Sequence, residues 1–531
     1  MSSSVDSTAL PSPSSSTLSP RQRELLERWG EIRDLDAATA VLQWDQETQM
    51  PPQGVEPRAR VLATLAGQRH RQLTDPRLVD LVEACADELN TGELAAQELE
   101  QGEAAAAARV REARKLIQRT AAVPETLARE LAEVEARGMV AWEQAREQGD
   151  FELWRPLLEH MVALKHDQAR CWLDCTEGAD GPYDTLLESF EPGARERTLA
   201  PLFEQLTDEL VPLVRAVAES GVEVDESPAR GDFPEAAQRA LGFEVAKAIG
   251  FDFQRGRLDL STHPFCVGFS PSDVRLTWRF EEQDWRPGLY GILHEAGHGL
   301  YEQGLPEEES ASPLGVAVSL GIHESQSRLW ENLVGRSRPF LRWLLGPLRR
   351  HLDLGDGVSV ETLWPALHTV KPTLIRVEAD EGTYNLHVAA RFDLERRLFR
   401  GEISVGELPE LWDETYERLL GIRAENPADG VLQDVHWSMG AFGYFPTYTL
   451  GTLAASQLYA AAESELGDLP AALERGECAE LLAWLRRHIH RWGSQYSADQ
   501  LLQEATGAEL SPQPFLQDLR ANARAVYGVS V

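Results

Sequence analysis

A chain of 531 residues that is 43% hydrophobic can bury a large core without disulfides or a structural metal. Its formal net charge of -35 argues against nucleic acid or an anionic membrane as partner, because both carry charge of the same sign. Lysine is confined to Lys115, Lys165, Lys247 and Lys371, and this acidic, lysine-poor composition fits salt adaptation and GC-rich codon usage equally.

Residues 1–20 are rich in Ser and Pro and lack the basic start and apolar stretch of a signal peptide, so they read as a disordered tail ahead of one domain spanning 21–531. Apolar residues then recur at helical spacing over 21–48, over 90–120 (with a helix-favouring Ala run at 104–108), over 151–178 and over 195–220. Between them, Pro124 to Gln148 reads as one helix. Pro124 suits its first turn, Leu127, Leu131, Val134, Gly138, Ala141 and Ala145 form its apolar stripe, and Gly149 ends it. The five cysteines are odd in number and scattered, and Cys171 and Cys175 lack zinc-knuckle spacing. They imply inert thiols in a reducing, cytoplasmic setting. No apolar run reaches the roughly 18 residues a membrane-spanning helix needs.

One segment departs from helical spacing. From Asp273 to Phe280 apolar and polar residues alternate, which predicts a half-buried strand. Helical pattern resumes at Arg286 and continues to the end, so the fold class is mainly α: one large helical body with a small β-sheet beside the helix that follows the strand.

That helix carries the chemistry. Pro287 suits its first turn, and Leu289, Ile292, Leu293, Ala296 and Leu300 give its apolar face. His294 and His298, four residues apart, project from one side at a separation that can share a tetrahedral cation. Glu295, next to the first imidazole, is placed to take a proton from a water activated there. The bland alternative is two core histidines with a surface Glu between them. A hydrolytic site needs a third protein ligand, and Glu324 and His323 both offer one from the next predicted helix. They point about 100° apart around its axis, so only one can face the metal, and spacing modestly favours Glu324.

Several separate motifs extend the pattern. They read Trp44-Asp45-Gln46-Glu47-Thr48-Gln49-Met50-Pro51, Tyr183-Asp184-Thr185-Leu186-Leu187, His263-Pro264-Phe265, Asp273-Val274-Arg275-Leu276-Thr277, His294-Glu295-Ala296-Gly297-His298, His323-Glu324-Ser325-Gln326, Ile375-Arg376-Val377-Glu378-Ala379-Asp380 and Gly430-Val431-Leu432-Gln433-Asp434-Val435-His436-Trp437. In this order they make the chain resemble the carboxypeptidase Taq family of metallocarboxypeptidases over nearly everything but the tail. The resemblance implies a deep active-site groove and Glu324, not His323, as third ligand. It implies one divalent metal ion per chain, zinc or alternatively cobalt. It also implies a homodimer that releases single residues from peptides with a free C-terminus.

For the remaining roles the candidates are less constrained. His436 and Tyr444 are oxyanion donors by analogy with related helical metallopeptidase clefts, against the alternative of satisfied core residues. Arg275 and Arg376 suit a substrate carboxylate, with His263 and Gln433 lining the same pocket, although an ion pair of Arg376 with Asp380 competes. The run Glu307-Glu308-Glu309 reads as a solvated loop. Two other functions fit parts of the pattern: an oligopeptidase that cuts internally or releases dipeptides, and a helical scaffold with a vestigial metal site.

Overall fold

The structure, a computed structural model, describes residues 18–89, 101–355 and 357–530, so all but the last three residues of the Ser/Pro-rich segment lie outside the described residues. Ser19 and Gln22 form a reciprocal cap that starts the first helix, Pro20–Thr48. The helices Gln101–Ala122, Glu125–Gln148 and Glu196–Glu219 follow the spacing, residues 90–100 of the stripe expected over 90–120 lying outside the described residues, with Pro124 at the cap of the second and Gly149 ending it at φ 66°. The stripe at 151–178 is not one helix. Pro156 lacks an N–H and would clash with the preceding turn, so the helix starts afresh as Arg155–Trp172 between short 3-10 turns.

The sheet has three strands, β1 (Gly256–Leu260), β2 (Cys266–Ser270) and β3 (Asp273–Trp278), in the order β1-β3-β2. The strand read from the sequence is the central one, parallel to β1 and antiparallel to β2. It ends at Trp278, two residues short of the alternating pattern, and Val274, Leu276 and Trp278 are buried as the alternation requires. Thr277 is buried as well, because its hydroxyl accepts from Phe265 N at 2.9 Å and from Ser261 Oγ at 2.6 Å.

Two large apolar cores and one small one hold the chain. The first surrounds the sheet and includes Leu293, Ile322, Trp330, Leu344 and Leu485. The second includes Leu186, Phe392, Trp412, Phe442 and Leu519. The third gathers Trp29, Cys85 and Ile117 near the N-terminal end. The helix Pro446–Leu466 joins the two large cores, since Leu450 and Leu453 belong to one and Ala454 and Leu458 to the other.

One surface expectation is corrected. Glu307 and Glu308 are exposed, but Glu309 is buried in an ion pair with Arg109 of the helix Gln101–Ala122 and also accepts from Ser312. An unpaired carboxylate could not be buried there, and the arginine supplies the partner. All five cysteines are free, and no helix among the described residues is long and apolar enough to cross a membrane.

Candidate metal centre

Asp284 caps the helix Trp285–Glu302 by accepting from Arg286 N at 2.9 Å, and Pro287 falls in its first turn. Its apolar face packs into the first core, which leaves His294 and His298 half-buried on the other side with ring centroids 4.9 Å apart. The next helix in that core, Leu320–Arg328, closes on Gly297, where an added Cβ would meet Gln326 O at 2.6 Å. Only glycine permits that approach, and the approach brings Glu324 to the imidazoles. Glu324 Oε2 lies 3.6 Å from His294 Nε2 and 3.3 Å from His298 Nε2. Ligands about 2.1 Å from a tetrahedral ion are separated by about 3.4 Å, so two imidazole nitrogens and this oxygen fit one divalent ion with a corner to spare.

The far sides of these candidate ligands are fixed too. His294 Nδ1 bonds Glu331 Oε2 at 2.9 Å and His298 Nδ1 donates to the His323 carbonyl at 3.0 Å, which sets both Nε2 atoms toward Glu324. Glu331 sits in a π-helical turn, Leu329–Val334, and its other oxygen takes Arg336 Nη2 at 2.9 Å. Arg328 Nε holds Glu324 Oε1 at 2.7 Å, leaving Oε2 to face the imidazoles. Glu331 escaped the sequence reading; the signal was a second acid on the same helical run as Glu324. His323 turns away, bonding Glu302 Oε1 at 2.8 Å and stacking on His298.

Burial pushes the Glu295 carboxyl up to about 7, with His294 opposing and Glu324 adding to the rise. Burial holds His298 down at about 4, in the neutral form a ligand needs. At His294 burial is outweighed by Glu324 and Glu331, which raise it to about 9. The same two carboxylates that favour a proton there favour a metal cation.

Tyr444 and Tyr448 come close enough to this cluster to feel the charge of Glu324, and His436, in the 3-10 turn His436–Met439, packs against both rings. His436 Nε2 lies 3.3 Å from Tyr448 Oη, and the Tyr444 ring is 5.2 Å from that of His436. Burial and then the charge of Glu324 raise the Tyr444 phenol, so it stays a donor. Burial lowers His436 to about 3 despite Asp434 beside it, and its Nδ1 has no hydrogen-bond partner among the described residues. Tyr448 also escaped the sequence reading, being one helical turn beyond Tyr444.

The chain matches the family model described as Carboxypeptidase Taq (M32) metallopeptidase over residues 24–523. It belongs to that family. Thermostable carboxypeptidase 1 of Thermus thermophilus is 43% identical over 95% of this chain and 99% of the relative, and carboxypeptidase 1 of Bacillus subtilis is 34% identical over 94% and 97%. The crystal structure of the M32 carboxypeptidase from Deinococcus radiodurans R1 superposes with a TM-score of 0.90 at 38% identity, covering 96% of this chain and all of that one. Trypanosoma cruzi metallocarboxypeptidase 1 gives 0.89 at 32%, covering 95% and 99%. The protein is therefore a metallocarboxypeptidase.

In this carboxypeptidase the substrate candidates separate. Arg376 does not pair with Asp380, because residues 376–378 form a 3-10 turn rather than an α-helix. Its guanidinium meets Asp434 at 2.7 Å and Tyr384 Oη at 3.0 Å, while Asp380 accepts the N–H groups of Lys371, Gly382 and Thr383. Gln433 spends its amide on backbone, accepting from Arg376 N at 2.9 Å and donating to the Leu374 and Asp429 carbonyls. It braces the Arg376 turn. Arg275 is engaged by Asp273 at 2.9 Å and stacks over Trp44 at 4.4 Å. His263 is exposed on the loop between β1 and β2.

Proposed function

We propose that this metallocarboxypeptidase releases single residues from the free C-termini of peptides, with His294, His298 and Glu324 holding one divalent ion. The ion, zinc or alternatively cobalt, supplies Lewis acidity toward water and the scissile carbonyl. Glu295, buried and with its carboxyl near 7, takes the proton of the attacking water and delivers it to the departing amine. Tyr444 and His436 donate to the developing oxyanion from the opposite side, and Tyr448 orients His436. Both arginines already pair with a carboxylate, Arg376 with Asp434 and Arg275 with Asp273, and we assign Arg376 to the terminal carboxylate because it lies 5.0 Å over the ring of Tyr448, beside the oxyanion donors. By family resemblance the active form is a homodimer whose residues 21–531 act as one catalytic domain, and five free cysteines fit a cytoplasmic setting.

The observation that carries this reading is the convergence of His294 Nε2, His298 Nε2 and a Glu324 oxygen beside a buried Glu295. It is tested by giving the enzyme a blocked peptide as the free acid and as the C-terminal amide, with and without a chelator, and identifying the products. Single residues from the acid alone, stopped by the chelator, are expected. Equal cleavage of both peptides would replace the reading with that of an oligopeptidase.

A further inference from the structure

Glu324 stands on the helix Leu320–Arg328, nine residues that run on into the six of the π-turn Leu329–Val334, a run still only marginally stable by its own hydrogen bonds. Its first turn leaves N–H groups without partners inside the helix. Ser319 Oγ takes one, from Ile322 N at 3.0 Å. Two others are met from the second core. Leu320 N donates to the Phe190 carbonyl at 3.0 Å, and Gly321 N donates to Glu191 Oε2 at 2.8 Å. Phe190 and Glu191 follow the helix Pro182–Leu187, whose Leu186 and Leu187 belong to that second core, whereas Ile322 belongs to the first.

The opposite flank of the ligand helix is equally constrained. At Gly451 of the helix Pro446–Leu466 an added Cβ would lie 2.6 Å from both Cβ and Cγ of Glu324 and 3.0 Å from the Gly321 carbonyl. No side chain fits there without moving the ligand. The Phe190 ring meets the Tyr444 ring edge-on at 5.1 Å, so one dipeptide touches both the ligand helix and the facing phenol. A carboxylate at the positive end of a helix is favourable, which offsets part of the cost of burying Glu191, whose exposure is 7%.

We propose that Glu191 and Gly451 are positioning residues of the metal centre: Glu191 ties the start of the ligand helix to the opposite wall, and Gly451 lets Pro446–Leu466 seat against Glu324, so the carboxylate is set before the ion arrives. The proposal rests on Glu324 being a ligand. Glu191 acts through the helix it anchors and touches no reacting atom.

The test compares zinc dissociation constants, by competition with a chromophoric chelator, for the full chain and for Glu191→Ala, Glu191→Gln, Gly451→Ala and Glu324→Ala, alongside thermal unfolding of each metal-free protein. Glu191→Ala and Gly451→Ala are expected to weaken zinc by about 10- to 100-fold, the range for groups that orient metal ligands. Glu191→Gln is expected to recover most of the loss, because its amide oxygen still accepts from Gly321 N. Wild-type affinity in both Glu191→Ala and Gly451→Ala overturns the proposal, even if their unfolding temperatures fall. A Gln variant as weak as the Ala variant overturns the hydrogen-bonded anchor. Should Glu191→Ala fail to fold, Gly451→Ala and Glu191→Gln decide by the same readings. Zinc bound normally by Glu324→Ala overturns the ligand assignment itself, which is a separate failure.

Discussion

The side of the site that carries His294, Glu295 and His298 is one continuous helix with Glu324 on the next, and each residue's direction follows from 3.6-residue spacing. The facing side is a 3-10 turn at His436–Met439, a bend through Gly440 and Gly443 at φ 65° and 86°, and the start of another helix. Its residues are placed by buried polar partners from distant sequence. Glu395 accepts from Tyr183 Oη at 2.8 Å, Trp437 Nε1 at 2.7 Å and Gly443 N at 2.8 Å, and Asp434 is held between Arg376 and Arg391. Local spacing thus aims the side chains of one wall, though its second helix is seated from the other, and long-range hydrogen bonding aims the side chains of the facing wall.

The contrast can be broken by mutation, since turnover should fall with the metal kept at Glu295 and Tyr444, whereas metal retention should respond to the groups that hold the candidate ligands. The largest effect is expected at Glu295→Gln, which should lower kcat by about 10²- to 10⁴-fold with stoichiometric metal retained; metal analysis beside kinetics checks it, and near-normal turnover would contradict the role. Tyr444→Phe should cost about 10²- to 10³-fold in kcat with metal content again unchanged. Loss of metal in that variant would mean that the walls are not separable. Glu331→Ala removes the partner of His294 Nδ1 and should weaken metal binding by about 10- to 100-fold, measured by chelator competition.

The smallest expected effect concerns pH. Burial raises the Glu395 carboxyl from 4.5 to about 7. The folded state therefore binds its proton more tightly between those values, and this group's contribution to stability declines as pH rises through them. Glu395→Gln removes that titration. Its unfolding free energy in urea should fall less between pH 5 and pH 8 than that of the unaltered, metal-free enzyme, by on the order of 1 to 3 kcal/mol. An identical pH dependence in the two proteins would show that Glu395 does not titrate in this window.

The same contrast explains which features were legible in the sequence. The central strand, the long helices and the His294–His298 pair all rest on periodicities that the chain displays locally. Strands β1 and β2, each of five residues, and the break at Pro156 carry weaker local signals. The choice of Asp434 over Asp380 as the partner of Arg376 was hidden in sequence, because it depends on the chain folding a segment 58 residues away against a 3-10 turn. Gln433 reads as a substrate contact in sequence because a side-chain amide offers a ligand the same atoms that here bond backbone. Glu309 looked solvated because its arginine lies 200 positions earlier.

The π-helical turn at Leu329–Val334 has a consequence for how such a site can change. A π-turn absorbs one more residue than a regular turn, so losing a single residue there would restore ordinary helix while the residues on either side keep about their present directions. The three candidate ligands lie upstream of it and would stay in register, while Glu331, inside the turn, would be re-aimed off His294 Nδ1. Chain length in this one turn is therefore a dial on the grip of His294, adjustable by insertion or deletion with every ligand left in place.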